Sequence, residues 1–199
     1  MADTGCMSRL TKEQMRSIEE KLAAFIQSEP QIASCFDSAP VDIFKIASNL
    51  GFGVFPADLP EHWEGFISIT RRHSPGGKTI VFDSKLADDA AHVRFIVAHE
   101  LGHYISARMS DRPTDNMQYI SKRNMHRKER VRPQNEQEVD YLAAAMLMPK
   151  KRFEAEYRER RERGASLQSI ILELAELFAV EDIAVIDRLD ELELISAGD

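Results

Sequence analysis

The chain has 199 residues, 43% hydrophobic and 30% charged, with nine Gly, eight Pro and one Trp, the balance of a globular domain with area enough for a real core. These proportions exclude collagen-like and disordered chains. No apolar run approaches the about eighteen residues of a membrane span, and the opening MADTGCMSRLTKEQ lacks a signal peptide's apolar stretch, so the expected location is the cytoplasm. With 26 basic against 33 acidic residues, net −7, gripping phosphate backbones is excluded as the main task. Cys6 and Cys35 are too few for a disulfide scaffold and read as free thiols.

Thr11 and Gln14 form a capping signal for a first helix, along which Met15, Ile18, Leu22, Phe25 and Ile26 recur at helical spacing up to Pro30. A second helix is expected from near Pro40, with Val41, Phe44, Ala47 and Ser48 on neighbouring turns, ending at Asn49-Leu50-Gly51. Phe52 to Phe55 reads as a short strand. Gly65 to Arg71 and Lys78 to Asp83 read as a hairpin joined by Ser74-Pro75-Gly76-Gly77. A long helix follows from about Ala87 to Arg108, with Asp88 and Asp89 at its positive end and an apolar stripe of Val93, Ile96, Val97, Leu101 and Ile105.

Between Ser106 and Asn135 eight Lys or Arg stand against Asp111, Asp115 and Glu129, a local charge of +5 with little periodicity. A further helix is expected from about Asn135 to Met148, a charged one from Lys150 to Arg163, and two short amphipathic helices on either side of Val180-Glu181-Asp182. From Leu172 to Ile195 eight acids stand against Arg188 alone, a local −7, so this end, although it superficially resembles a helix-turn-helix, is expected to have negligible affinity for DNA.

The decisive run is His99-Glu100-Leu101-Gly102-His103. Residues four apart share a helix face, so both imidazoles can bind one ion while Glu100 leans over the same site as general base. A catalytic zinc needs a third protein ligand. The extended motif with a histidine six residues on would place Gly and His at positions 106 and 109, which are Ser106 and Met109. The alternative is a carboxylate from the later helix, where Glu136 and Asp140 lie four apart. Glu136 is the expected ligand, Glu138 falls on another face, and Asp140 is expected to hold the outer nitrogen of His99. This is the E-x-x-x-D arrangement of gluzincins. His62, His73 and His92 read as surface or packing residues, and His126 as a candidate transition-state donor.

The chain resembles the ImmA/IrrE family of bacterial metallo-endopeptidases. The resemblance rests on Pro40-Val41-Asp42-Ile43, Leu50-Gly51-Phe52, the glycine-bounded hairpin, the run from Arg94 to His103, and Glu136 to Pro149 ending Leu147-Met148-Pro149; it continues more weakly to Ile195. It departs in Tyr141-Leu142 and in a long basic insert before Glu136. It implies an α+β fold: a zincin-like minigluzincin core, with a small antiparallel or mixed sheet on the active-site helix, and a C-terminal helical bundle. The expected organisation is an N-terminal helical segment at 1–39, the peptidase core at 40–149 and an acidic helical subdomain at 150–199. It further implies a zinc enzyme, with manganese as the alternative metal, that cleaves a separate helix-turn-helix repressor of the XRE type controlling stress or mobile-element genes. His99, His103 and Glu136 would be ligands and Glu100 the acid/base. The runner-up is a metal-containing antirepressor or toxin-antitoxin component that binds without cutting, and general peptide turnover comes third. Strand Thr79-Ile80-Val81-Phe82-Asp83 is the expected wall against which an extended peptide adds a strand.

Overall fold

In the computed structural model, Thr11 caps the first helix as its sequence predicts. Its hydroxyl accepts from Gln14 N at 3.2 Å, and the Gln14 side chain accepts from Thr11 N at 2.7 Å. The structure describes residues 10–70, 77–122 and 133–195. Helix α1 (Lys12–Ser28) is followed by a single-turn helix α2 (Pro30–Ala33) and a 3-10 turn (Ser34–Phe36), neither of which was expected. Helix α3 (Ile43–Asn49) begins three residues later than Pro40 because Asp42 caps it, accepting from Lys45 N at 3.0 Å. Gly51, at φ +85°, ends that turn in the left-handed region, as its position suggests.

Among the described residues, four strands then form one mixed sheet in the order β1-β3-β2-β4. Strands β2 (Trp63–Ile69) and β3 (Lys78–Asp83) pair antiparallel, as the hairpin reading predicts, and β1 (Gly53–Ala57) pairs parallel to β3. The fourth strand, β4 (Gln118–Lys122), lies inside the basic segment that sequence alone left without structure, and it pairs antiparallel to β2.

Helix α4 (Ala90–Met109) lies under this sheet, capped by Asp89, whose carboxylate accepts from His92 N at 3.0 Å. It is buried on far more than one stripe, because β2, β3 and β4 cover one side while α1, α3 and α5 (Gln134–Leu147) cover the others. Gly102 permits the closest approach: a Cβ there would stand 3.0 Å from Val139 Cγ1 and 3.3 Å from Val139 O. The Ala143-Ala144-Ala145 run keeps the rest of α5 slim where it is buried.

Helices α6 (Lys150–Glu162), α7 (Leu167–Phe178) and α8 (Asp182–Glu191) complete the chain. One apolar cluster runs from Leu22 and Ile32 through Val97, Leu101 and Leu142 to Phe153, Phe178 and Leu189, so all three expected segments contribute to the same core. Arg188, fully buried, donates to Glu19 at 2.6 Å and stacks 5.1 Å over the Tyr141 ring, and the Tyr141 hydroxyl donates to Glu19 at 3.1 Å. A buried guanidinium is tolerated only with such partners. The network ties α1 and α8 to α5, and it accounts for the tyrosine at 141.

Candidate active site

The i,i+4 spacing on α4 sets the rings of His99 and His103 4.9 Å apart between centroids and 83° from parallel. Glu136, in the first turn of α5, reaches both: its Oε2 lies 3.4 Å from His99 Nε2 and 3.8 Å from His103 Nε2. All three ligand atoms fall within 4.8 Å of one another. Donors held about 2.0–2.1 Å from one tetrahedral ion stand about 3.4 Å apart, so the set fits zinc with a fourth position left over.

Asp140, one turn along α5, accepts from His99 Nδ1 at 2.9 Å. With the proton on Nδ1 shared with a carboxylate, Nε2 carries the lone pair, and that nitrogen is buried with no hydrogen-bond partner. An orphaned imidazole nitrogen beside a second imidazole and a carboxylate is what a metal ligand requires. His103 is also suited: burial, followed by the neighbouring His99, holds its pKa down to about 4, so the ring is neutral at pH 7.

Glu100 is completely buried. Its Oε1 accepts from the Ser121 hydroxyl at 2.5 Å, and the Ile67 backbone N–H also donates to the carboxylate. Oε2 has no partner and is the atom available to move a proton. Burial pushes the carboxyl up to about 7, with His99 and Ser121 pulling the other way. Gly65 makes this packing possible, since a Cβ there would meet Ile96 Cγ2 at 2.7 Å and Val81 O at 2.9 Å.

Sequence reasoning missed Tyr119 and Ser121 of β4. The Tyr119 ring lies parallel to that of His103 at 4.2 Å, and Ser121 holds Glu100. Their alternation in Gln118-Tyr119-Ile120-Ser121-Lys122 is the period-2 signal that could have marked them as facing one way.

One expectation is corrected. Residues Thr79 to Asp83 cannot take up a peptide by strand addition, because β3 is interior to the sheet and paired along its length with β1 on one side and β2 on the other. Among the described residues the strands at the edges are β1 and β4, and β4 is the one that touches the site. His126 and His73 lie outside the described residues.

A second gathering of ligand types, Asp89, His92 and Glu181, is of another character. His92 Nε2 lies 3.3 Å from Glu64 and Nδ1 3.6 Å from Glu181. The neighbouring Glu64 carboxylate raises the His92 pKa against the opposing effect of burial. His92 thus stands between Glu64 of β2 and Glu181 at the start of α8 and bridges the two elements.

The sequence profile of the M78 peptidases, described as the IrrE N-terminal-like domain, matches residues 47–190, nearly three quarters of the chain. The chain belongs to this family. The matched stretch contains His99, Glu100, His103, Glu136 and Asp140, together with β4 and the C-terminal helices. The family is one of metallopeptidases, in which the metal is usually zinc. No curated protein matches the chain. Among the described residues, no helix is long and apolar enough to cross a membrane.

Proposed function

We propose that this M78 peptidase is a cytoplasmic zinc endopeptidase with a minigluzincin core at residues 40–149, and that its substrate is a helix-turn-helix repressor of the XRE type whose loss frees stress or mobile-element genes. The observation that carries the catalytic part is the unpartnered Oε2 of buried Glu100 beside the His99–His103–Glu136 cluster. A protein that only bound its partner would have no need of a buried base held in place by Ser121.

His99, His103 and Glu136 would hold the ion, and Asp140 would orient His99. When bound, zinc supplies a Lewis acid that polarises the scissile carbonyl and makes water acidic enough to be used near neutral pH. Glu100 takes the proton of the attacking water on Oε2 and delivers it to the departing amide nitrogen. Burial raises the affinity of this carboxylate for a proton in the metal-free chain, which favours the acceptance. Substrate pairs in extended form with the outer edge of β4, whose inward side chains Tyr119 and Ser121 already contact His103 and Glu100.

The test is incubation with helix-turn-helix proteins encoded near the gene, with and without chelator, alongside Glu100→Gln. Fragments that vanish with chelator and with the variant support this reading. A stable uncut complex from the intact enzyme points instead to an antirepressor, and inertness towards every such protein removes the repressor as substrate.

A further inference from the structure

Helix α4 stops at Met109, and Asp111 then takes the left-handed conformation at φ +50°. Two hydrogen bonds close the turn: Asp111 N donates to Arg108 O at 3.2 Å and Arg112 N to Ala107 O at 2.9 Å. This double closure of a Schellman turn fixes the backbone of Arg112 from one side. Pro113 restricts it from the other, since the residue before a proline is held extended. From that set point the Arg112 side chain folds back along α4 and donates from Nη2 to the Ser106 hydroxyl at 3.1 Å. Ser106 stands one turn beyond the ligand His103, and a helical side chain leans towards its helix N-terminus, here towards that histidine. Burial and His99 depress the His103 pKa most, and the Arg112 charge adds to them, which places the guanidinium within electrostatic reach of the ligand. The guanidinium is exposed, and among the described residues no carboxylate lies within ion-pair distance of it. Arg108, Arg158, Arg160 and Arg163 all have such a partner. A cation prearranged beside the metal ligands and held by a neutral hydroxyl keeps most of its planar fork of donors for a group from outside.

We propose that Arg112 is a specificity-determining residue that receives a carboxylate of the substrate close to the scissile bond, which rests on the endopeptidase reading above and adds what the cleft selects. Strand β4 gives the direction. Tyr119 faces His103 and Ser121 faces Glu100, so a peptide laid along this strand and followed past Gln118 runs towards the Ser106 turn and Arg112. One helical turn is about 5.4 Å and one extended residue about 3.3 Å, so the carboxylate belongs within about three residues of the bond that is cut. An acidic group there is bound by the guanidinium, and a lysine is repelled.

The probes are peptide hydroxamates, whose head group binds zinc, in two series that extend the chain to either side of the metal. Each series carries Glu, Gln or Lys at one, two or three residues from the head group, with the far end blocked. Titrated into the zinc-loaded full chain, one Glu peptide is expected to bind about five- to tenfold more tightly than its Gln counterpart, by a margin that shrinks as salt rises. Arg112→Gln is expected to erase that preference, Arg112→Lys to retain part of it and Arg112→Glu to turn it towards the Lys peptide, while zinc binding by each variant shows that it is folded. Peptides without acidic side chains, ending in a free carboxylate or its amide, separate the two sources: preference for Glu assigns an acidic side chain, and preference for the free end assigns a chain terminus. No preference for a carboxylate at any position, or one that survives Arg112→Gln, overturns the role of Arg112. Hydroxamates that still bind in that case, and a repressor still cut by the wild-type chain, leave the endopeptidase reading standing. Hydroxamates that do not bind the zinc-loaded chain at all overturn the reading of the site, and the role of Arg112 with it.

Discussion

The ring of Tyr119 lies flat on that of His103, 4.2 Å between centroids and 4° from parallel. Strand β4, at an edge of the sheet among the described residues, thus braces the proposed metal ligand His103, for which no hydrogen-bonded carboxylate like Asp140 on His99 is described. Tyr119→Phe should keep the stack and zinc affinity. Tyr119→Ala should forfeit about 0.5–1.5 kcal/mol, a roughly two- to tenfold loss of affinity. Competition against a chromogenic chelator measures both, and equal affinities would show the stack to be incidental.

Asp140 orients the other histidine through a 2.9 Å hydrogen bond. Asp140→Ala should weaken zinc binding by about 10–100-fold, while Asp140→Asn, whose amide oxygen still accepts from Nδ1, should lose much less. An alanine variant with wild-type affinity would remove Asp140 from the site.

Gly102 sets the distance between α4 and α5. In Gly102→Ala the new methyl meets Val139 Cγ1 at 3.0 Å and the Val139 carbonyl at 3.3 Å, so α5 has to move outward. The expected cost is about 1–3 kcal/mol of stability. Zinc affinity should fall as well, because Glu136 and Asp140 ride on α5. Denaturant unfolding with and without zinc reads both, and a variant more stable than wild type would mean that helix propensity outweighs the close approach.

Glu100 makes zinc uptake dependent on pH. Its carboxyl, ordinarily at 4.5, is pushed up to about 7 by burial in the metal-free chain. The folded chain therefore keeps a proton that the unfolded chain loses above pH 4.5, and this group lowers stability as pH rises from 4.5 to about 7. A dication beside it favours the ionised form, so zinc binding just below pH 7 should expel up to one proton from Glu100. Calorimetry in buffers of different ionisation enthalpy should find that proton in the wild type and miss it in Glu100→Gln. Metal-free Glu100→Gln should likewise lose less stability than wild type over the same pH window. Identical proton release by the two proteins would contradict the assignment.

The parts of the site that follow a single helical period are legible in the sequence. His99 with His103, and Glu136 with Asp140, each need only a spacing of four on one face, and Gly102 lies between the two histidines. Tyr119 and Ser121 needed more. Their inward orientation follows from the register Ile67↔Tyr119 and Gly65↔Ser121, a pairing across about fifty residues of chain that nothing local announces. Charge also dominated the reading of that segment and hid a five-residue strand. The error over β3 has the same origin. Phe52 to Phe55 reads as a strand, but its parallel pairing with β3, which removes the free edge, is a tertiary fact.

The most direct measurement is a crystal structure of the zinc-loaded chain with anomalous data collected on both sides of the zinc edge. One strong peak is expected about 2.0–2.1 Å from His99 Nε2, His103 Nε2 and a Glu136 oxygen, with Glu100 beside it but not bound. A peak at Asp89, His92 and Glu181 instead, or a Glu136 side chain turned away from the ion, would contradict the account.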